Sequence, residues 1–122
     1  MELIYIFAII FNHWVADFVF QDEKWAHQKS KSNKELLKHT VTYSLLLSPL
    51  AIFLGWNIIP FILINFILHT ITDYFTSRHV SKQFAKGHLG GAIPNFGAFT
   101  SIGFDQVIHY ICLFSSFMYF MP

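Results

Sequence analysis

The chain has 122 residues, 54% of them hydrophobic and 19% aromatic, with only 12% charged and a formal net charge of +1. That length suits one domain, and a charged fraction near half the soluble norm of about 25% argues against an ordinary soluble protein. The near-zero net charge gives nucleic-acid binding no support, and a single cysteine, Cys112, excludes an internal disulfide and a zinc-finger cluster.

Four apolar stretches approach the roughly 20 helical residues that cross a bilayer: 2–21, 36–55, 57–77 and 100–121. The first opens Met1-Glu2-Leu3, with no basic leader and no small-residue cleavage site behind it, so it predicts a retained helix. Pro49 predicts a kink in the second, Gly55-Trp56-Asn57 a tight turn, and Pro60 fits the first turn of the third. The connection 79–99 holds four of the six glycines and Pro94, and reads as a lid or re-entrant segment, with Phe96 and Phe99 dipping into the interface. Trp25 and Trp56 read as interfacial anchors; Trp14 either lines a site or faces lipid.

All eight Lys and Arg residues fall in two places, Lys24 to Lys38 after the first stretch and Arg78 to Lys86 after the third. The positive-inside rule then places loops 22–38 and 78–98 in the cytoplasm and both termini outside. The expected fold is all-α: one domain, residues 1–122, of four antiparallel transmembrane helices in a bundle. It is built from hairpins of about 1–55 and 57–122 and sits multi-pass in a bacterial-type cytoplasmic (inner) membrane, with membrane lipid as its surroundings.

Five of the seven histidines have a carboxylate four residues away. Random placement gives about 0.8 such hits. Residues four apart share a helix face, so His13–Asp17, Glu35–His39, His69–Asp73 and Asp105–His109 are two-ligand units in or against apolar stretches. The first and third stretches carry His-x-x-x-Asp and the second and fourth acid-x-x-x-His, which suggests one hairpin used twice, as in parallel membrane repeats. At 1.5 Å per residue, His13, His69 and His109 sit roughly 12 Å from the cytoplasmic ends, with Asp17, Asp73 and Asp105 about 6 Å shallower. His39 joins the deeper tier if its helix begins before Glu35.

A single pair of this kind is as readily a hydrogen bond between helices. Several at one depth must neutralise one another or share a cation. Glu35, between Lys34 and Lys38, reads equally as a solvated acid. Glu23–His27 has the spacing but lies in a polar loop, and His79 and His88 read as loop residues. Gln21 and Gln106 lie where they can orient a ligand.

His13-x-x-x-Asp17-x-x-x-Gln21, Trp25-Ala26-x-x-Lys29, His39, His69-x-x-x-Asp73 and Asp105-Gln106-x-x-His109 together resemble a family of small bacterial and phage integral-membrane proteins. It is catalogued only as a domain of unknown function (number 3307). The resemblance spans nearly the whole chain and implies no activity. More loosely, the layout is similar to membrane-bound metal-dependent hydrolases, which also set His and Asp at the ends of transmembrane helices.

The residues point first to an integral-membrane metalloprotein in which His13, Asp17, His39, His69, Asp73, Asp105 and His109 bind one or two divalent cations. Their mixed N/O set suits zinc first, then manganese or iron. Seven ligands exceed the four of a closed structural zinc site, which leaves Asp17, Asp73 and Asp105 available for catalysis. A hydrolase acting at the cytoplasmic face on a lipid-linked ester or phosphoester is the expectation. A divalent-cation or proton transporter or channel is the alternative, and would call for a homo-oligomer. A bis-His haem protein is the second alternative.

Overall fold

The computed structural model describes residues 1–21, 28–90 and 96–122. Among them there is no strand; the chain is all-α. Trp25, the Glu23–His27 pair, Gly91 and Pro94 lie outside the described residues.

Helix α1, Leu3–Trp14, runs straight into a π-helical turn, Val15–Val19. Helix α2 is Asn33–Leu45, α3 Ile58–Ala85 and α4 Ala98–Phe120. Each turns one face inward at helical spacing: Ile9, His13 and Ala16 on α1; Leu36, His39, Thr40 and Tyr43 on α2; Phe61, Asn65, His69 and Asp73 on α3; Ser101, Asp105, His109 and Leu113 on α4. The outward faces are the apolar ones. Phe7, Phe11, Trp14 and Phe18 are exposed on α1, and Leu63, Ile67, Ile71 and Phe75 on α3. Polar residues sit inside and large apolar ones outside, the reverse of a soluble helix. Trp14 faces outward with its indole half exposed.

Successive helices run antiparallel, as their contacts require. Asn12 Nδ2 donates to the Leu46 carbonyl at 3.0 Å, Arg78 to Asn33 Oδ1 at 3.1 Å, and Asn65 Nδ2 to Ser116 Oγ at 2.9 Å. At one end Ile9, Leu47, Leu54, Phe61, Leu113 and Phe117 close into a dry core. The termini and the Gly55–Asn57 turn gather there, with Asn57 Nδ2 bonded to the Phe120 carbonyl at 2.7 Å. Gly55 has φ +56°, which favours a residue without Cβ. At the opposite end lie Lys29, Lys31 and Lys34 and the polar end of α3.

Two expectations change and one left open is decided. Pro49 does not kink a continuous helix: α2 ends at Leu45, and Pro49 sits in a 3-10 turn, Ser48–Leu50, followed by one α-turn, Ala51–Leu54. Proline offers no N–H to the carbonyl four residues back and its ring crowds that carbonyl. Helix α3 continues past Ser77 to Ala85, so His79 is helical and the following connection is shorter than 79–99. Its flanks are joined by Ala98 N–H to the His88 carbonyl (2.8 Å) and Phe99 N–H to the Leu89 carbonyl (2.6 Å), and Phe99 belongs to α4. Glu35 lies in the first turn of α2, where an acid complements the helix dipole; His39 therefore faces inward. One helical stretch, residues 33–85, contains a segment long and apolar enough to cross a membrane. α4 is long enough, at 23 residues, but is not apolar enough to pass the same test.

Candidate metal centre

Four side-chain atoms from three helical segments converge just beyond the dry core. His39 Nε2 lies 3.2 Å from His69 Nε2, 3.1 Å from Asp17 Oδ1 and 3.2 Å from Asp73 Oδ2. His69 Nε2 lies 3.6 Å from that Asp17 oxygen and 3.4 Å from that Asp73 oxygen. A tetrahedral ion with ligands at about 2.0–2.2 Å has ligand–ligand edges of about 3.3–3.6 Å. Five of the six edges of this figure are thus close to that size without adjustment, and all four atoms fall within 4.8 Å of one another. All four residues are buried.

A second group shares Asp17 and adds Asp105 and His109, again with ligand atoms within 4.8 Å. His109 Nε2 is 3.0 Å from Asp105 Oδ2 and 3.1 Å from Asp73 Oδ1. Asp73 therefore belongs to the first group through Oδ2 and touches the second through Oδ1, which faces His109. The donor set of imidazoles and carboxylates fits zinc, manganese or iron.

Local structure explains how Asp17 reaches across. It lies in the π-turn, where Phe20 N–H bonds to the Val15 carbonyl at 3.1 Å, a span of five residues. Such single π-turns occur mostly at functional sites. The widened turn aims Asp17 at α2 and α3, while its other oxygen stays 3.6 Å from His13 Nε2.

His13 is fully buried but belongs to neither group of converging atoms. Its Nε2 faces Gln106 Oε1 at 2.7 Å and its Nδ1 faces the Tyr43 hydroxyl at 3.1 Å. One tautomer satisfies both contacts: Nε2–H donates to Gln106 and Nδ1 accepts from Tyr43. Gln106 then donates through Nε2 to Asp105 Oδ2 (3.1 Å) and Asp17 Oδ2 (3.4 Å). It bridges the two groups as an orienting residue. Glu35 is buried one turn before His39 and pairs with Lys38 at 3.4 Å, away from the converging atoms. Gln21 lies in the wall of an adjoining cavity.

Three contributors were not visible in the sequence. Lys29 donates to Asp73 Oδ2 at 3.0 Å. Burial opposes its charge, but the Asp73 and Asp17 carboxylates outweigh that and hold its pKa above the ordinary 10.5. Its position in a basic loop gave it only a topological meaning, although the spacing Trp25-Ala26-x-x-Lys29 had marked it. Tyr43 stacks on His69 with centroids 3.8 Å apart, and His69 stacks on His109 at 4.0 Å, so Tyr43 caps the site against the dry core. Its signal was the spacing of four from His39. Thr76 donates to Asp105 Oδ1 at 2.6 Å, one helical turn short of Val80.

A family described as "Protein of unknown function (DUF3307)" matches residues 5–121. The chain belongs to this family. The match includes every residue of both converging groups, along with Lys29, Tyr43 and Gln106. No curated protein and no solved structure matches the chain.

A cavity of about 710 Å³ opens beside the second group on the side away from the dry core. Asp17, Asp105 and Gln106 form its inner wall, and Lys29 and Lys31 stand on another. Two of the three converging carboxylates, Asp17 and Asp105, thereby line a cavity at one end of the molecule.

Proposed function

We propose that this DUF3307 protein is an integral-membrane, metal-dependent hydrolase that works at the cytoplasmic face on a lipid-associated ester or phosphoester. The observation that carries the reading is the near-tetrahedral set of Asp17, His39, His69 and Asp73, with edges of 3.1–3.6 Å, built from buried residues that are costly to keep together without a cation.

Membrane insertion of all four helices is supported by the inverted faces: large apolar residues outward, His, Asp, Asn and Ser inward. Placement of the basic end in the cytoplasm is supported by the lack of any Lys or Arg at the end that holds the termini and the Gly55–Asn57 turn.

His39, His69, Asp73 and Asp17 would hold one divalent cation; Asp105 and His109, with the shared Asp17, would hold a second. A cation there supplies Lewis acidity, polarising the scissile group and lowering the pKa of a coordinated water to about 7. The protein's own residues do the remainder. Asp105 lines the cavity within reach of an incoming water and accepts its proton as the water oxygen bonds to phosphorus or to the acyl carbon. The ester P–O or C–O bond breaks, and that proton passes to the departing alcohol oxygen. Gln106 and Thr76 fix the Asp105 carboxylate through bonds of 3.1 and 2.6 Å, and Tyr43 seals the site from the apolar core.

Elemental analysis of detergent-purified protein, prepared without chelators, tests this directly. We expect one or two divalent ions per chain in wild type, less than half of that in His69→Ala, and partial loss in Asp105→Ala. Wild-type content below about 0.2 per chain would defeat the reading, because converging ligands of this kind bind tightly at neutral pH.

A further inference from the structure

We propose that the cavity beside the second group binds a phosphoryl group, so that the substrate class is the phosphoester rather than the acyl ester. This rests on the metal reading for one of the cavity's walls.

The charge balance comes first. Asp17, Asp73 and Asp105 carry three negative charges, and Lys29, bonded to Asp73, returns one positive. A single divalent cation neutralises the remaining two. A second cation gives the centre a surplus of two positive charges, and Lys31 in the cavity wall adds one more. A phosphomonoester carries about −1.5 to −2 at pH 7. The surplus matches that charge and exceeds what a neutral acyl ester calls for.

The polar lining points the same way. Ser30, Ser77 and Ser81 lie in the cavity wall. Ser77 Oγ, a hydroxyl able to donate, is a buried atom of a wall residue with no hydrogen-bond partner among the described residues. Buried polar atoms are ordinarily paired, and a helical serine commonly bonds the carbonyl one turn back. Phosphoryl oxygens accept from such hydroxyls, from a side-chain amide and from ammonium groups at once. Beyond these residues the wall turns apolar at Phe18, Val80, Phe84 and Ile102, which suits a chain attached to the phosphoryl group.

Lys31 is the residue to change, because it is exposed, lies in the cavity wall and touches neither converging group. Surface replacements of this kind leave stability nearly unaltered. Lys82, exposed on α3 and outside the cavity, controls for general charge. The probes are dioctanoyl phosphatidate, dioctanoylglycerol with the same tails and no phosphoryl group, and inorganic phosphate. Binding to zinc-loaded full-length protein in detergent is read by isothermal titration calorimetry, with metal content measured on the same samples. We expect phosphatidate to bind and dioctanoylglycerol not to. Lys31→Gln should weaken phosphatidate about tenfold, the usual scale for one charged hydrogen bond, whereas Lys82→Gln should not. Inorganic phosphate binding as tightly as phosphatidate supports the phosphoryl site and assigns it to a water-soluble ester. Equal binding of dioctanoylglycerol and phosphatidate, or a Lys31→Gln protein that binds phosphatidate like wild type, overturns the inference. Metal-loaded protein that ignores both phosphate probes sinks this inference alone. Metal-free wild-type protein sinks the metal reading, while phosphatidate binding that still depends on Lys31 would leave the phosphoryl site standing.

Discussion

The Lys29–Asp73 pair offers the sharpest test, because the two partners should act oppositely on cation affinity and together on stability. The ammonium and carboxylate are 3.0 Å apart, with the lysine side chain 18% exposed and the aspartate 1%. At an effective dielectric near 20, that separation corresponds to about 5 kcal/mol of attraction before desolvation. Breaking a buried pair by removing one partner costs about 3–5 kcal/mol. Asp73→Asn should reach that range in cation-free protein, since it also deserts His39, His69 and His109. Lys29→Met should cost less, because those same imidazoles remain beside the carboxylate. The double variant should be more stable than the two losses predict, with a coupling of about 2–3 kcal/mol. Cation binding separates the partners. Asp73→Asn removes a ligand of the first group and should weaken zinc by more than about 100-fold, beyond the 10- to 100-fold typical of groups that only orient ligands. Lys29→Met removes a competing positive charge and should tighten zinc. Unfolding in detergent followed by circular dichroism gives the stabilities, and competition against a chelating dye gives the affinities. Additivity within about 0.5 kcal/mol would refute the energetic pairing. Weaker zinc binding by Lys29→Met would refute its role as a competing cation.

Three further outcomes follow from the same geometry. Gln106→Leu removes the acceptor 2.7 Å from His13 and the amide that holds Asp17 and Asp105; zinc affinity should fall about 10- to 100-fold with the helical spectrum unchanged. Cation occupancy at a fixed, sub-saturating free-metal concentration should fall as pH drops, because protons compete with the metal for the imidazole nitrogens. Equilibrium dialysis between pH 5 and 8 measures it, and flat occupancy over that range would exclude histidine ligation. Phe61→Ala, in the dry core one turn from Asn65, should destabilise the protein by about 3–5 kcal/mol while zinc per folded chain stays at the wild-type value.

Period-four spacing made the histidine and aspartate faces legible, because a helix turns i and i+4 to one side whatever the tertiary arrangement. His69–Asp73 and Asp105–His109 needed no more than that. His39 depended on where α2 begins; the helix starts at Asn33, before Glu35, and this turns His39 inward. Asp17 was found by spacing, but its reach to His39 depends on a π-turn, a backbone irregularity with no periodic signature. The end of α3 was missed because the polar run after Ser77 loses its apolar face, while its lysine, glutamine and alanine remain good helix formers. Lys29 and Tyr43 lay beyond reach for another reason. Tyr43 had a signal in its spacing of four from His39 and Lys29 in its motif, but their roles arise only when α2, α3 and the basic loop are brought together.

The distribution of polar groups also bears on the proposed hydrolase reading and its two rivals. A conducting path needs polar groups, or a pore-lining surface from further copies, through the whole thickness. On the side of the termini, Leu54, Phe61, Leu113 and Phe117 pack to near-complete burial. Asn65 there donates to Ser116 Oγ and to the Phe61 carbonyl. An ion arriving from the basic end would meet Tyr43 stacked on His69, then that core. A haem between paired histidines needs a flat slot; His69 and His109 stack at 4.0 Å, and three carboxylates crowd their nitrogens, an arrangement that favours a small hard cation over a macrocycle. A site closed on the apolar side and open to an amphipathic cavity on the other suits a reaction in which water and a lipid-borne ester meet at one face of the membrane.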